Sequence, residues 1–273
     1  MVNSCTGKMG HATAEAVVRA GLPFVPYSFT GSSEAVAVGN VGVSGIPVEL
    51  VAPAERQSAM ERLKAQFPGL IIIDFTLPSA VNDNARFYAA SGVPFVMGTT
   101  GGDREALIRD VEAAGVSAVI APQMGKQVVA FQATMALMAE NFPGAFAGYR
   151  LEVTESHQRS KVDISGTAKA VVESFRQLGI PFSEAGIRRV RDARTQVSMG
   201  VPQAHLGGHA FHTYRLVSPD ESVAFEFKHN VCGREIYAEG TVDAALFLAA
   251  KVAQGGPPRI YNMVDVLREG AMR

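Results

Sequence analysis

The feature that most constrains this chain is an alternation, through its first half, of short apolar runs with longer stretches of helical spacing. Met1–Ser4, Phe24–Phe29, Leu70–Phe75, Pro94–Met97 and Ser117–Ala121 read as strands. Met9–Ala20, Ala54–Gln66, Ser79–Ser91 and Arg104–Ala114 read as helices. Strand, helix and strand in succession call for crossover connections, which make neighbouring strands parallel. Strands of such a sheet are buried on both faces, so they are apolar without alternation, as Leu70-Ile71-Ile72-Ile73 is. The pattern predicts an α/β fold with a doubly wound parallel sheet.

The rhythm changes after Pro122. Val128–Glu140 and Gly166–Gln177 read as helices, and Tyr149–Glu155 as a strand. Val190, Gln196–Gly200, Ala210–Val217 and Ser222–Asn230 read as strands of a mixed or antiparallel sheet, with Ser218-Pro219-Asp220-Glu221 as a hairpin turn. A last helix, Thr241–Ala253, leads through Gly255-Gly256-Pro257-Pro258 to Ile260–Leu267. The length of 273 residues fits two domains at about 100–200 residues each. The expected division is 1–124 with 241–273 in the first, and 125–240 in the second, an α+β domain.

Composition narrows the function classes. With 47% hydrophobic and 19% charged residues a sizeable core is available. A net charge of -1 without blocks of like charge recommends neither nucleic acid nor an anionic membrane as partner. Ala244–Ala250, among the longest apolar stretches, is far short of a membrane span. Cys5 and Cys232 are too few for a disulfide framework and match no zinc spacing, which suits a reducing compartment. No signal peptide precedes the first strand, so the cytoplasm is expected, or the plastid stroma if a transit peptide has been removed. Arg188, Arg189, Arg191 and Arg194 read first as a solvated face and second as a binding site. His205, His209, His212 and His229 are too dispersed to suggest a metal centre, and none is expected.

The first strand runs into Ser4-Cys5-Thr6-Gly7-Lys8-Met9-Gly10 and then into a helix. A glycine turn between strand and helix exposes backbone N–H groups to a pyrophosphate. Gly7 and Gly10 match the last two glycines of that pattern, and Ser4 takes the first place. On a doubly wound sheet this makes the first domain Rossmann-like, although a plain turn before a surface helix has the same local sequence. The second strand ends Tyr27-Ser28-Phe29-Thr30-Gly31-Ser32-Ser33, with no acid before Glu34 to read a ribose and repel a 2′-phosphate. The expected cofactor is therefore NADPH, used at least as well as NADH. Two more strand-end loops, Asp74-Phe75-Thr76-Leu77-Pro78 and Gly98-Thr99-Thr100-Gly101, suit close approach to a dinucleotide, or serve as ordinary turns with helix caps.

The most informative segment is Glu155-Ser156-His157-Gln158-Arg159-Ser160-Lys161-Val162-Asp163-Ile164-Ser165-Gly166-Thr167-Ala168-Lys169. Ser165, Gly166 and Thr167 open a helix, where hydroxyls and backbone donors can hold a carboxylate. Lys161 can neutralise a second anion and give a proton, and His157 can hydrogen-bond or transfer a proton near neutral pH. Singly, each has a bland reading as surface histidine, solvated lysine or helix cap.

Together they resemble the catalytic segment of the 4-hydroxy-tetrahydrodipicolinate reductases. Gly7-Lys8-Met9-Gly10, Gly98-Thr99-Thr100-Gly101, Gly208-His209, Arg234 within His229–Arg234, and Met263–Leu267 agree in order. Ser4, Gln158, the direct step from Ile164 to Ser165, and Ala121–Gln127 depart from the bacterial pattern and resemble the plant branch. The resemblance implies hydride transfer to a cyclic hydroxy-imine dicarboxylate with loss of water. It implies Lys161 as proton donor, His157 as its partner at the substrate, and Ser165, Gly166, Thr167 and Arg234 as substrate ligands. Cofactor contacts are expected from Thr6, Gly7, Lys8, Met9, Gly10, Ser28, Thr30, Phe75, Thr76, Gly98, Thr99, Thr100, Pro122 and Gln123. A substrate held between two domains implies hinge closure, and the family implies a homo-oligomer, dimer or tetramer, through the second domain's sheet. The competing readings are another amino-acid-pathway dehydrogenase, for aspartate or homoserine, and a non-catalytic NADPH sensor.

Overall fold

The computed structural model describes residues 1–31, 33 and 37–270. It forms two compact units, Met1–Lys126 with Glu235–Arg273, and Gln127–Arg234. The first unit begins with β1 (Val2–Asn3), α1 (Lys8–Arg19), β2 (Tyr27–Phe29), β3 (Asn40–Val43), β4 (Ile46–Val51), α2 (Arg56–Gln66) and β5 (Ile72–Asp74). It continues through α3 (Val81–Ala90), β6 (Phe95–Met97), α4 (Arg104–Ala114) and β7 (Ala118–Ile120). The second unit contains α5 (Lys126–Asn141), which starts at the boundary, β8 (Arg150–His157), α6 (Gly166–Gln177), β9 (Arg188–Val190), α7 (Ala193–Ser198), β10 (His209–Val217) and β11 (Ala224–Cys232). The chain returns to the first unit with α8 (Glu235–Ala253), β12 (Ile260–Tyr261) and α9 (Met263–Arg268).

The first unit is built on a five-stranded sheet in the order β1-β5-β6-β7-β12, parallel throughout. Ile72, Ile73, Phe95, Val96, Ala118 and Val119 are almost fully buried, as crossover helices on both faces require. A smaller sheet, β2-β4-β3, lies beside it. Its link to β1 is the Ser4 N–H to Phe29 O bond of 3.1 Å and the Asn3 side chain accepting from Phe29 N at 3.0 Å. The β3–β4 hairpin is an element that the sequence pattern did not disclose.

The second unit is a mixed four-stranded sheet, β11-β10-β8-β9, antiparallel except for β8 with β9. Met135 and Ala139 of α5 and Val171, Val172 and Phe175 of α6 pack with Leu151, Val153, Tyr214 and Leu216 of the sheet. The hairpin turn lies where expected. Ser218 Oγ donates to Asp220 at 2.6 Å and accepts from Val223 N at 3.0 Å.

Two expectations are corrected. Gln196–Gly200 is not a strand, because α7 occupies this stretch. Asp192 caps it by accepting from Thr195 N at 2.8 Å, a local hydrogen bond that outweighs strand propensity. The last long helix starts at Glu235 rather than Thr241. Gly240 lies inside α8, and glycine is needed there because a Cβ would fall 1.8 Å from the Met124 carbonyl oxygen.

Candidate active site

Parallel pairing puts the C-terminal ends of β1, β5, β6 and β7 on one edge of the first sheet, so the loops that leave them converge. A cavity of about 1200 Å³ opens there, lined by Ser4, Gly7, Lys8, Met9, Thr30, Gly31, Phe75 and Thr76 among others. Ser4 stands where the glycine pattern has its first glycine, and it adopts that residue's left-handed conformation, with φ of 53°. Gly10 is obligatory, since a Cβ would lie 2.2 Å from the Ser4 carbonyl oxygen. Gly7 caps α1 without a side-chain hydrogen bond, and the first turn of α1 carries no acid. The positive end of α1 is thus uncapped. The Thr6 hydroxyl is buried without a protein partner among the described residues. A loop with exposed amide donors, an orphan hydroxyl and no acid fits a pyrophosphate.

Beneath the cavity, buried Asp74 organises two of these loops. It accepts from Thr76 N and Oγ1 at 3.1 and 2.8 Å and from Thr99 Oγ1 at 3.1 Å. It also accepts from Asn84 Nδ2 at 3.0 Å and from Tyr88 Oη at 2.7 Å. Tyr88 in turn accepts from Asn3 at 2.6 Å, which joins β1 to the same network. Burial, and then the Asp74 charge, push the Tyr88 hydroxyl well up, so it stays a donor. Gly98 leaves room for the Phe75 ring, whose carbon would lie 2.3 Å from a Cβ.

Not every expected cofactor residue faces this cavity. Ser28 is fully buried, and its hydroxyl accepts from Cys5 N at 3.1 Å, so it braces the phosphate loop from below. Full burial removes it from direct contact with a ligand. Thr100 and Pro122 are exposed, and Gln123 accepts from Gly125 N at 2.9 Å. Ser32 and Glu34 lie outside the described residues. The sequence reading missed Arg56, which lines the cavity with Thr30 and Gly31. Its guanidinium stacks 4.3 Å from the Phe87 ring centre and donates to Asn84 Oδ1 at 3.4 Å. The signal was indirect. Because β4 runs parallel to β2, the loop after Val51 emerges on the same edge as Thr30.

In the second unit the chemistry segment leaves the end of β8. His157 and Ser165 are buried, Lys161 is half-buried, and Lys161 Nζ sits 2.9 Å from both oxygens of Asp163. The hydrogen bond from Lys161 is the main reason that the exposed Asp163 carboxyl lies below its usual range. Ser165 N-caps α6 without using its side chain. Its own N–H donates instead to buried Glu155 Oε2 at 2.9 Å. The Ser165 side chain is therefore not used as a cap at the positive end of α6, where a carboxylate is favoured. Arg234 lies against Gly208, where a Cβ would come 3.3 Å from its guanidinium. Gly208 precedes His209, whose carbonyl oxygen lies 3.2 Å from His157 Nδ1, so Arg234 belongs to the same end of the sheet.

The basic stretch is not only a solvated face. Arg191 reaches Glu155 Oε1 at 2.5 Å and Lys161 O at 2.8 Å, and Arg189 reaches Val162 O at 2.9 Å. Carbonyls of the loop thus find fixed cations, and the loop that carries Lys161 is held at several points. Arg188 stays exposed. The alternation along β8 puts Glu155 on the same face as His157, a signal available in the sequence but not used.

His157 is surrounded by other histidines. Its Nε2 is 3.0 Å from His212 Nε2, and His212 Nδ1 is 3.0 Å from the Tyr214 hydroxyl. His209 Nε2 lies 2.8 Å from Ser156 Oγ, and the His229 ring lies over His212 with centres 4.6 Å apart. Burial, helped by the charges of Lys161 and Arg191, drives His157 down to about 3. Burial, then His229 and His157, takes His212 to about 2, and burial takes His229 to about 4. These rings are neutral at pH 7. Glu155, His157 and His212 each offer a ligand atom within 4.8 Å of the others, the spacing of a metal centre. The carboxylate is already shared by Arg191 and Ser165 N–H, and the imidazoles are hydrogen-bonded to each other, so the set is closed as a hydrogen-bonded network.

A dinucleotide-type cavity on a doubly wound sheet, followed by a mixed-sheet unit with anion-binding and acid–base side chains, defines a two-domain oxidoreductase. The N-terminal family model for dihydrodipicolinate reductase matches residues 1–124, and the C-terminal model matches residues 127–267. The whole chain aligns at 57% identity with a probable 4-hydroxy-tetrahydrodipicolinate reductase 1, chloroplastic, of Oryza sativa subsp. japonica, covering 79% of that protein. The Arabidopsis thaliana enzyme 1 is also 57% identical over the whole chain and 78% of its own length. Among solved structures, a dipicolinate-bound dihydrodipicolinate reductase from Paenisporosarcina sp. TG-14 superposes with a TM-score of 0.63 at 17% identity, over 96% of both chains. The WlbA dehydrogenase of Thermus thermophilus, in complex with NAD, shares the fold at a TM-score of 0.51 and 11% identity, over 91% of this chain and 93% of its own. The chain belongs to the family of 4-hydroxy-tetrahydrodipicolinate reductases, oxidoreductases of lysine biosynthesis, and within it to the plant branch. None of its described helices is long and apolar enough to cross a membrane.

Proposed function

We propose that the chain carries out the family's reaction, reduction of 4-hydroxy-tetrahydrodipicolinate to tetrahydrodipicolinate with loss of water, using a nicotinamide cofactor and preferring NADPH to NADH. The observation that carries the reading is the grouping, at one end of the second sheet, of His157, Lys161, the N-terminal end of α6 and Arg234. The cofactor, when bound, supplies the hydride. Ser165, Gly166 and Thr167 hold a substrate carboxylate at the positive end of α6, and Arg234 adds a second positive charge for the dianion. Lys161, kept near the site by Asp163 and by the Arg191 grip on its carbonyl, gives the proton to the reduced ring. In the first unit, Thr6, Gly7, Lys8, Met9 and Gly10 take the pyrophosphate, and Thr30 with Arg56 faces the adenosine end. The Arg56 cation there supports the preference for the 2′-phosphate. The chloroplast location in the plant relatives' names supports the plastid stroma over the cytoplasm. A homo-oligomer is supported by β11, an edge strand with a largely exposed face that includes Phe225.

The test is NADPH oxidation with substrate generated in place from pyruvate and aspartate semialdehyde by the upstream synthase. Oxidation that depends on the synthase is expected. Lys161→Ala is expected to lose about 10²–10⁴-fold in turnover while still binding NADPH. A folded wild-type chain that binds NADPH yet oxidises neither NADPH nor NADH would overturn the assignment.

A further inference from the structure

The hydrogen bonds around His157 determine where its proton sits. Nδ1 lies 3.2 Å from the His209 carbonyl oxygen, which only accepts, so Nδ1 carries hydrogen. In a neutral ring Nε2 is then bare and must accept. Its partner is His212 Nε2 at 3.0 Å, which must therefore carry hydrogen. That leaves His212 Nδ1 bare, and the Tyr214 hydroxyl 3.0 Å away donates to it. Each link fixes the next, and the chain ends on a tyrosine that is completely buried. The burial that lowers both histidines and raises Tyr214 is consistent with two neutral rings and a protonated phenol.

We propose that His212 and Tyr214 are positioning residues for His157, fixing which of its nitrogens is protonated and preventing rotation of its ring. The proposal rests on His157 standing in the substrate site as assigned above. Both nitrogens of His157 are committed within the second unit, so it meets the substrate as a fixed ring wall. Proton donation is left to Lys161. The arrangement is encoded on one strand. His212 and Tyr214 are two residues apart on β10, so both face the same side. Antiparallel register sets β10 against β8, with Ala210 opposite His157.

The experiment uses the full chain labelled with ¹⁵N at histidine, together with three variants. In the wild type, His157 is expected protonated at Nδ1 and His212 at Nε2. His212→Leu removes the donor and is expected to lower kcat roughly 10–100-fold through misplacement of His157, with KM for NADPH unchanged. His212→Gln returns an N–H donor and is expected to recover kcat to within about threefold of wild type, because orientation is restored. A wild-type His157 protonated at Nε2, or a folded His212→Leu with wild-type kcat, overturns the proposal. Should His212→Leu fail to fold, Tyr214→Phe decides. It deletes only the terminal donor, so His212 keeps its Nε2–H toward His157 but loses the bond that holds its Nδ1, and kcat is expected to fall, whereas an unchanged kcat overturns the chain. The two levels separate cleanly. Loss of activity in Lys161→Ala with full activity in His212→Leu overturns the positioning chain alone, and full activity in Lys161→Ala overturns the site.

Discussion

Arg56→Ala tests the cofactor reading most sharply. The arginine lines the cavity with Thr30 and Gly31, is half-buried, and is held flat by Phe87 at 4.3 Å. Its one hydrogen bond to a side chain among the described residues is the long one to Asn84, so most of its donors remain for a ligand. Two unit charges about 4 Å apart attract by about 4 kcal/mol at an effective dielectric of about 20. Solvent at a half-exposed position, and the desolvation of both partners, reduce the net value to that of a charge-assisted hydrogen bond, about 1.5–3 kcal/mol. That corresponds to roughly 10–150-fold in affinity for NADPH. NADH lacks the 2′-phosphate, and for it only stacking of the guanidinium is lost, about 0.5–1 kcal/mol or a few-fold. Dissociation constants for both cofactors, from quenching of their fluorescence, and KM values from steady-state rates measure the effect. The difference between the two losses, about 0.5–2.5 kcal/mol, should lower the preference ratio roughly 2–70-fold while kcat with saturating NADPH is kept. Equal losses for both cofactors, or none, would refute the placement of the 2′-phosphate at Arg56, and a wild type that prefers NADH would refute the cofactor preference itself.

Three further outcomes are expected. Asp74→Asn replaces an acceptor oxygen by an amide donor that faces the donors Thr76, Thr99, Asn84 and Tyr88, and should cost about 3 kcal/mol, read as a lower denaturant midpoint at unchanged slope together with weaker NADPH binding. Gly240→Ala gains about 1 kcal/mol in helix propensity but forces a methyl group against the Met124 carbonyl at 1.8 Å; the clash should win, and a Tm at or above wild type would contradict it. His157 and His212 lie far below the value of 6.5 that they have in the unfolded chain. The unfolded state therefore binds more protons between the two values, so stability is complete above about pH 6.5 and is lost as pH falls toward about 3 for His157 and about 2 for His212, at up to about 1.4 kcal/mol per pH unit for each ring. Melting curves at stepped pH check this, and a constant Tm over that window would show that the rings are solvated.

The corrections share a physical pattern. Gln196–Gly200 has the composition of a strand, but Asp192 supplies a cap three residues before Thr195, and a cap is a local bond that acts before any partner strand is found. The expected helix start at Thr241 leaves out Gly240, whose lack of a side chain answers a constraint from Met124, far away in sequence. Ser28 is expected among the cofactor contacts, but pleating turns it inward under Cys5. The arginines near 190 read as solvent-facing because a charge run usually is. Only the parallel pairing of β9 with β8 brings Arg189 and Arg191 onto the loop that holds Lys161.

The sequence by itself determined the elements that depend on short-range order: the parallel strands from their unbroken apolar runs, the glycine turn before α1, and the compact segment from His157 to Thr167. Those signals are local because hydrophobic period, backbone conformation and helix capping act over a few residues. Only the tertiary structure decided what approaches from elsewhere in the chain. Arg56 reaches the cavity because β4 runs parallel to β2, Asp74 ties together loops from two strands, and His212 with Tyr214 meets His157 because β10 lies antiparallel to β8. Strand register fixes such partners, and register is set by the packing of whole sheets rather than by the residues that it brings together.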